Sequence, residues 1–245
     1  WSSDVCSSDL WIYDLYVDEV GAEAAVASLA RMNVPPAPVV RDDGYVQDRA
    51  STWVAAAVGA QPGELILDLC AAPGGKATAL AASGATVVAA DLRTQRAGLI
   101  AENAHRLGYS SDQLSVIAAD GTLPPFAESQ FDAVLLDAPC SGLGALRRRP
   151  DSRWRVEPRD VDVLSSLQQA LIESATMLVK PGGRFVYSVC TINASESIDH
   201  GISSGWEVDD VPPEGQWQRF GHGWRVLPHD ADTDGMVLMR YRRVA

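Results

Sequence analysis

The sequence predicts an α/β fold: a doubly wound, mostly parallel sheet of seven strands, preceded by a short helical extension. Three observations carry that prediction. After Gly63, strand-like runs alternate with helical patterns five times, as strand–helix–strand crossovers require. The runs are continuously apolar, the pattern of strands covered on both faces. The first of them, ELILDLC, ends in a Pro-Gly-Gly turn and opens straight into the helical GGKATALAAS.

In chain order, WSSDVCSSDL at residues 1–10 is serine-rich and without periodicity. It reads as a non-native scar and is set aside together with Cys6. Tyr13 to Met32, with the alanine-rich EVGAEAAVASLARM, reads as one helix. NVPPAPVV ends it, because proline lacks an amide donor and disfavours helix at the residue before it. Another helix begins near Asp48, a residue type suited to capping. Then come strand ELILDLC, helix GGKATALAAS, strand ATVVAAD, helix RTQRAGLIAENAHRLG and strand LSVIAAD. A proline-bearing loop leads to strand FDAVLLDAP, an arginine-rich loop, helix VDVLSSLQQALIESATMLV and strand GGRFVYSVC. GWRVLP and GMVLMRYRR have no long helix between them and read as a closing hairpin with one strand antiparallel.

The chain has 245 residues, 47% of them hydrophobic, enough for one well-cored domain. No apolar run reaches eighteen residues, and the start lacks the basic region and apolar core of a signal peptide. A cytoplasmic protein with no membrane segment is expected. Cys6, Cys70, Cys140 and Cys190 form no CxxC pair, and His105, His200, His222 and His229 form no HExxH, so no metal is expected. The net charge of −12 excludes nucleic-acid binding by bulk electrostatics. The local exception is LRRRPDSRWR, where Arg147, Arg148, Arg149, Arg153 and Arg155 face one aspartate. It is either a solvated loop or a rim that meets phosphates.

Ligands of open parallel sheets bind beyond the carboxyl ends of the strands. Five features fall there: the glycine loop, Asp91, Asp120, Asp137 with Cys140, and Cys190. Gly74 and Gly75 allow close backbone approach, and the helix behind them offers free amide donors to an anion. GxGxxG and GxxxxGK[ST] are both absent, so neither a dinucleotide nor a triphosphate is indicated. Asp91, 23 residues after Asp68, can accept from ribose hydroxyls, and Asp120 from an adenine amino group. Together these suit S-adenosyl-L-methionine, an amino acid joined to a nucleoside; singly, each aspartate is equally well a helix cap. Cys70 reads as a small apolar filler. Cys140 and Cys190 lie at strand ends, where a thiolate can be stabilised. Two thiols and a carboxylate at one cleft suggest covalent catalysis, with a redox pair as the alternative.

The motifs DLCAAPGGKAT, DLRTQRAGLI, AADGT, DAPCSGLGALRRRPDSRW and YSVCTINASES, in that order, resemble the Nop/Sun family of RNA cytosine-5 methyltransferases. YVQDRAS upstream and LPHDADTDGM downstream are similar to that family too. The resemblance runs from about Gly44 to Arg243, and its branch is most like the bacterial small-subunit ribosomal RNA enzymes. It implies a Rossmann-like methyltransferase fold at 44–245, with 1–43 a reduced remnant of an RNA-binding region, so that the chain is a fragment or a minimal form. It implies S-adenosyl-L-methionine held by Cys70, Ala71, Ala72, Pro73, Gly74, Gly75 and Lys76, mostly through backbone, with Asp91 at the ribose and Asp120 at the adenine. Asp137 then sits between cofactor and base, Cys190 is the nucleophile, and Cys140 assists release. Arg147, Arg148, Arg149, Arg153 and Trp154 become an RNA-contacting rim. The expected partner is RNA, ribosomal before transfer RNA, met by a monomer. A non-catalytic RNA-binding or ribosome-assembly factor, and a methyltransferase for a small molecule or protein, are the competing classes.

Overall fold

The computed structural model describes residues 10–244, so the non-native reading of 1–10, Cys6 included, lies outside the described residues except at Leu10, which opens the first helix. Strands β1 (Leu65–Leu69), β2 (Thr86–Asp91), β3 (Leu114–Ala118), β4 (Phe131–Asp137) and β5 (Val179–Val189) pair in parallel in the order β3-β2-β1-β4-β5. The chain then adds β6 (Trp206–Val208), β7 (Gln218–Phe220), β8 (Gly223–Val226) and β9 (Met236–Arg243). β9 runs antiparallel to β5, and β6 and β8 both pair with β9. The closing hairpin is therefore β8–β9. The sheet has nine described strands rather than seven, because β6 and β7 are three-residue pieces. Their sequences, WEV and QRF, are largely exposed, so no apolar run announces them.

Eight described helices accompany the sheet: α1 (Leu10–Val20), α2 (Ala22–Arg31), α3 (Arg49–Ala57), α4 (Gly75–Ala82), α5 (Thr94–Arg106), α6 (Ser152–Arg155), α7 (Pro158–Met177) and α8 (Pro228–Ala231). The single helix expected over Tyr13–Met32 is two. Gly21 stands between them at φ +81°, a left-handed conformation that stops α1 and starts α2. Asp48 caps α3 as expected, accepting from the Ala50 amide at 2.9 Å. α7 begins earlier than its apolar period suggests. Pro158 occupies its first turn, and the Asp160 carboxylate accepts from the Glu157 amide at 2.8 Å.

Side chains alternate across the strands, as the pleat dictates. Ile66, Leu135, Val186 and Leu238 pack with Val54, Leu80 and Ile100 of α3, α4 and α5. Leu67, Val134, Leu136, Tyr187 and Val237 pack with Leu171, Ile172 and Ala175 of α7. Helices thus cover both faces. The crossovers leaving β1 and β4 go to opposite faces, which opens a crevice above these two neighbouring strands. α1 and α2 close over the loops beside that crevice: Ile12, Tyr16 and Leu29 pack with Leu143, Leu146, Ile192 and Leu227. The Tyr16 hydroxyl donates to the Leu143 carbonyl at 2.9 Å. Among the described residues no helix is long and apolar enough to cross a membrane.

Candidate active site

The crevice holds a cleft of about 260 Å³. Its lining draws on the glycine loop (Ala71, Ala72, Pro73, Gly75, Lys76), on Tyr45, Gln47, Asp48 and Ser51, on Asp137 and Cys190, and on Arg148 and Arg149. Gly74 turns the loop at φ +102°, and a side chain there would meet Ile100 of α5 at 3.1 Å. Gly75 lies so close to Tyr45 and Gln47 that a Cβ would stand 2.9 Å from the tyrosine ring. The loop is therefore shaped by α5 on one side and the YVQD segment on the other.

The carboxylates divide sharply. Asp68 is fully buried under the cleft, and neither of its oxygens has a partner among the described residues. Burial, then the Asp137 charge, pushes its pKa up to about 8. Asp91 accepts from the amides of Ala72 and Arg93 and from Arg96 Nε at 3.1 Å, bracing the loop from behind. Asp137 is gripped at both oxygens, by Lys76 Nζ at 2.7 Å and Ser188 Oγ at 2.7 Å. Burial pulls the Lys76 ammonium down, but the Asp137 charge and hydrogen bond, together with the charges of Asp68 and Cys190, outweigh it, so its pKa is raised. Asp120 is not brought to the cleft. It lies beyond the end of β3, exposed, with its carboxylate turned onto the Thr122 amide and hydroxyl.

The thiols divide as well. Cys70 stands at φ +71° just past β1, and burial pushes its pKa up to about 12, so it keeps its proton at neutral pH. Cys140 and Cys190 are brought together from the ends of β4 and β5, with their sulfurs 3.3 Å apart. Cys190 lines the cleft. The hydrogen bond with Cys190, then burial, holds the Cys140 thiol well above its ordinary value. The backbone locks the pair: the Gly144 amide donates to the Cys190 carbonyl at 3.0 Å, and the Gly235 amide to the Gly144 carbonyl at 2.8 Å. A Cβ at Gly144 would stand 2.0 Å from the Gly235 carbonyl oxygen, so only glycine fits.

The arginine rim is smaller than its sequence suggests. Arg147 does not belong to it: its side chain is only 2% exposed and pairs with Asp48, Asp232 and Asp234 at 3.2, 2.7 and 3.1 Å. Arg148 joins Asp48 and Asp234, both at 2.9 Å. Arg153 reaches back to the Met32 carbonyl, and Arg155 pairs with Asp151. Arg149 is exposed at the cleft and has no ion pair among the described residues, and Trp154 is 60% exposed. Replacing Arg147 by alanine takes the buried guanidinium from Asp48 and Asp234 and leaves both to the more exposed Arg148. We expect a loss of about 3–5 kcal/mol of stability, read from urea denaturation. A loss within experimental error would show that the buried network carries little.

A profile of the 16S rRNA methyltransferase RsmB/F family matches residues 55–242. The chain belongs to this family. "Probable ribosomal RNA small subunit methyltransferase B" of Synechocystis sp. is 37% identical to it over 212 residues, 81% of this chain and 47% of the relative. "Ribosomal RNA small subunit methyltransferase B" of Cronobacter sakazakii is 36% identical over 215 residues, 84% of this chain and 49% of the relative. The chain thus spans about half the length of these curated relatives. The solved structure of NSun6 from Pyrococcus horikoshii, with SFG, shares 27% identity at a TM-score of 0.73, covering 82% of this chain and 53% of that one. The RsmB/F chain has the S-adenosylmethionine-dependent methyltransferase fold, and S-adenosyl-L-methionine is the cofactor that fold serves.

The residues present fit that cofactor. The unpartnered Asp68 carboxylate suits a buried ammonium, and the amides opening α4 suit a carboxylate. Asp91 retains one of four acceptor positions for a hydroxyl. Sequence reasoning on this RsmB/F chain passed over Asp68, Ser188 and the ammonium of Lys76, treating Lys76 as a backbone contact. Lys76 carried a signal: it is one of only two lysines in the chain. For Asp68 the signal was an acid inside an otherwise apolar strand. Its raised pKa also gives a testable sign. Between about pH 4 and 8 the cofactor-free folded chain holds a proton at Asp68 that the unfolded chain has released, so stability falls as pH rises through that window. In urea midpoints taken across it, wild type is expected to decline by an extra few kcal/mol relative to Asp68→Asn. Parallel slopes would rule the buried acid out.

Proposed function

We propose that this chain transfers a methyl group from S-adenosyl-L-methionine to carbon 5 of a cytosine in RNA, through a covalent bond from Cys190 to carbon 6. The observation that carries the reading is the pair of sulfurs 3.3 Å apart at the strand ends, with the Asp137–Lys76 pair in the same cleft. Carbon 5 of cytosine is a poor nucleophile. Addition of the Cys190 sulfur to carbon 6 makes it enamine-like, able to attack an electrophilic methyl group. The cofactor, when bound, supplies that methyl as a sulfonium. Asp137, fixed by Lys76 and Ser188, stabilises the negative charge that develops on the ring when it carries a proton and donates it to N3. The carbon 5 proton then leaves, and the bond from sulfur to carbon 6 breaks.

Cys140 suits the last step. The hydrogen bond with Cys190 is the first cause of its raised pKa. Once the Cys190 sulfur is bonded to carbon 6 the first cause of the raised Cys140 pKa is gone, so Cys140 can pass its proton to solvent and, as the thiolate, accept the carbon 5 proton. The base must be unpaired or flipped to enter the cleft. Arg149 lines it as an exposed cation suited to a phosphate, and Trp154 on the same loop is an exposed ring suited to a stacked base. Arg149→Ala is expected to weaken RNA binding for all sequences alike and to lower the salt slope by about one unit. An unchanged slope would remove Arg149 from the interface.

The names of the relatives favour small-subunit ribosomal RNA as the substrate, and a transfer RNA is the variant of the same reading. Bisulfite sequencing of both RNAs, from cells with and without the gene, tests it. Loss of one protected cytosine in ribosomal RNA is the expected result; no change in either RNA would sink the reading. Labelled cofactor offered with total RNA or with protein extract separates it from a protein or small-molecule methyltransferase.

A further inference from the structure

We propose that Glu196 is the positioning residue of the cysteine pair, a buried carboxylate that sets the loop after β4 against the loop after β5. The inference rests on the reading of Cys190 and Cys140 as the reacting thiols. Glu196 is fully buried. Its Oε1 accepts from the Ser141 amide at 2.8 Å and from Gln168 Nε2 at 3.1 Å. Its Oε2 accepts from the Ser141 hydroxyl at 2.5 Å and from Asn193 Nδ2 at 2.7 Å. Ser141 follows Cys140 directly. Asn193 in turn holds Thr191, which follows Cys190, at 2.9 Å. The Ser141 and Thr191 hydroxyls lie 3.3 Å apart.

One side chain therefore joins both cysteine loops to α7, through Gln168, which also donates to the Pro139 carbonyl at 2.9 Å. The Glu196 segment is itself tied down. Its amide donates to Asn193 Oδ1 at 2.8 Å, and the Tyr187 hydroxyl donates to its carbonyl at 2.8 Å. All four groups that face the carboxylate are donors, and no ion pair to it occurs among the described residues. An acceptor-only group uses all four, and an amide cannot, because its nitrogen turns donor against donor. The Glu196 charge also helps keep the Cys140 thiol protonated, on the side away from the cleft.

The test uses the full chain with Glu196→Gln, Glu196→Asp and Ser141→Ala. Two readouts are independent of each other. The first is methyl transfer to RNA. For Glu196→Gln we expect kcat to fall by about 10²-fold with cofactor affinity unchanged, since a misplacement of about 1 Å costs that much. Glu196→Asp should recover part of the loss, and Ser141→Ala should lie between. The second readout needs no substrate. Diamide takes one hydrogen from each thiol and leaves a Cys140–Cys190 disulfide, seen by mass spectrometry as a loss of two hydrogens. Its rate reports how well the two sulfurs are placed, and Glu196→Gln should slow it about 10-fold.

Wild-type rates in both readouts for Glu196→Gln would overturn the proposal. So would a cofactor affinity that falls in step with them, because a general loosening would do that. If Glu196→Gln does not fold, Ser141→Ala, which removes one donor, decides by the same criteria. Were wild type to transfer no methyl to cytosine, the reading of the thiols would fail, while the disulfide rates would still show whether Glu196 places them.

Discussion

Replacing Cys190 by alanine is expected to abolish methyl transfer, lowering kcat by about three orders of magnitude or more, as loss of a covalent nucleophile does. The expectation follows from geometry. Cys190 is the thiol that lines the cleft, and Cys140 beside it keeps its proton. Without a sulfur at position 190, carbon 5 stays a poor nucleophile whatever the cofactor offers. The check is transfer of a labelled methyl group to RNA, run beside cofactor binding. The variant should still bind cofactor, since the loop from Ala71 to Lys76 and the Asp68 carboxylate are untouched. RNA carrying 5-fluorocytosine should form a protein adduct that survives denaturation with wild type and none with Cys190→Ala. Full turnover by the variant would falsify the covalent route.

Cys140→Ala should behave in the opposite way, accumulating protein bound to RNA. Addition to carbon 6 needs only Cys190, so the adduct still forms. Removal of the carbon 5 proton then lacks its base, and breakdown should slow by about 10²–10³-fold. A slower band of labelled RNA on a denaturing gel is the measurement, and the double variant should lose it. Normal release by Cys140→Ala would assign proton removal to another group, and Asp137, which lines the same cleft, is the carboxylate to examine.

The parallel core was legible because its signal is local. Each buried strand is a continuous apolar run, and each crossover helix carries its own period. The break at Gly21 was hidden inside an alanine-rich stretch whose composition favours helix on both sides. The sulfur pair was legible as well, since both cysteines follow strands that a parallel sheet sets side by side. Arg147 was not. Five arginines in ten residues look like a solvated or nucleic-acid-facing loop until partners 85 to 99 positions away are folded against one of them. Asp120 was legible by its register beyond β3, but the turn of its carboxylate onto Thr122 was not. Glu196 lies inside the YSVCTINASES motif, but its role was not legible there, because it depends on four donors gathered from three segments.

The Arg147 network has a consequence for recombination. Asp48 comes from the segment before the first strand, Arg147 from the loop after β4, and Asp232 and Asp234 from the stretch entering β9. A chimaera that imports any one of these from a relative with a different partner set inherits a stranded charge. The three segments are one cassette: shuffled together they transfer a cleft wall, and shuffled singly they transfer a defect.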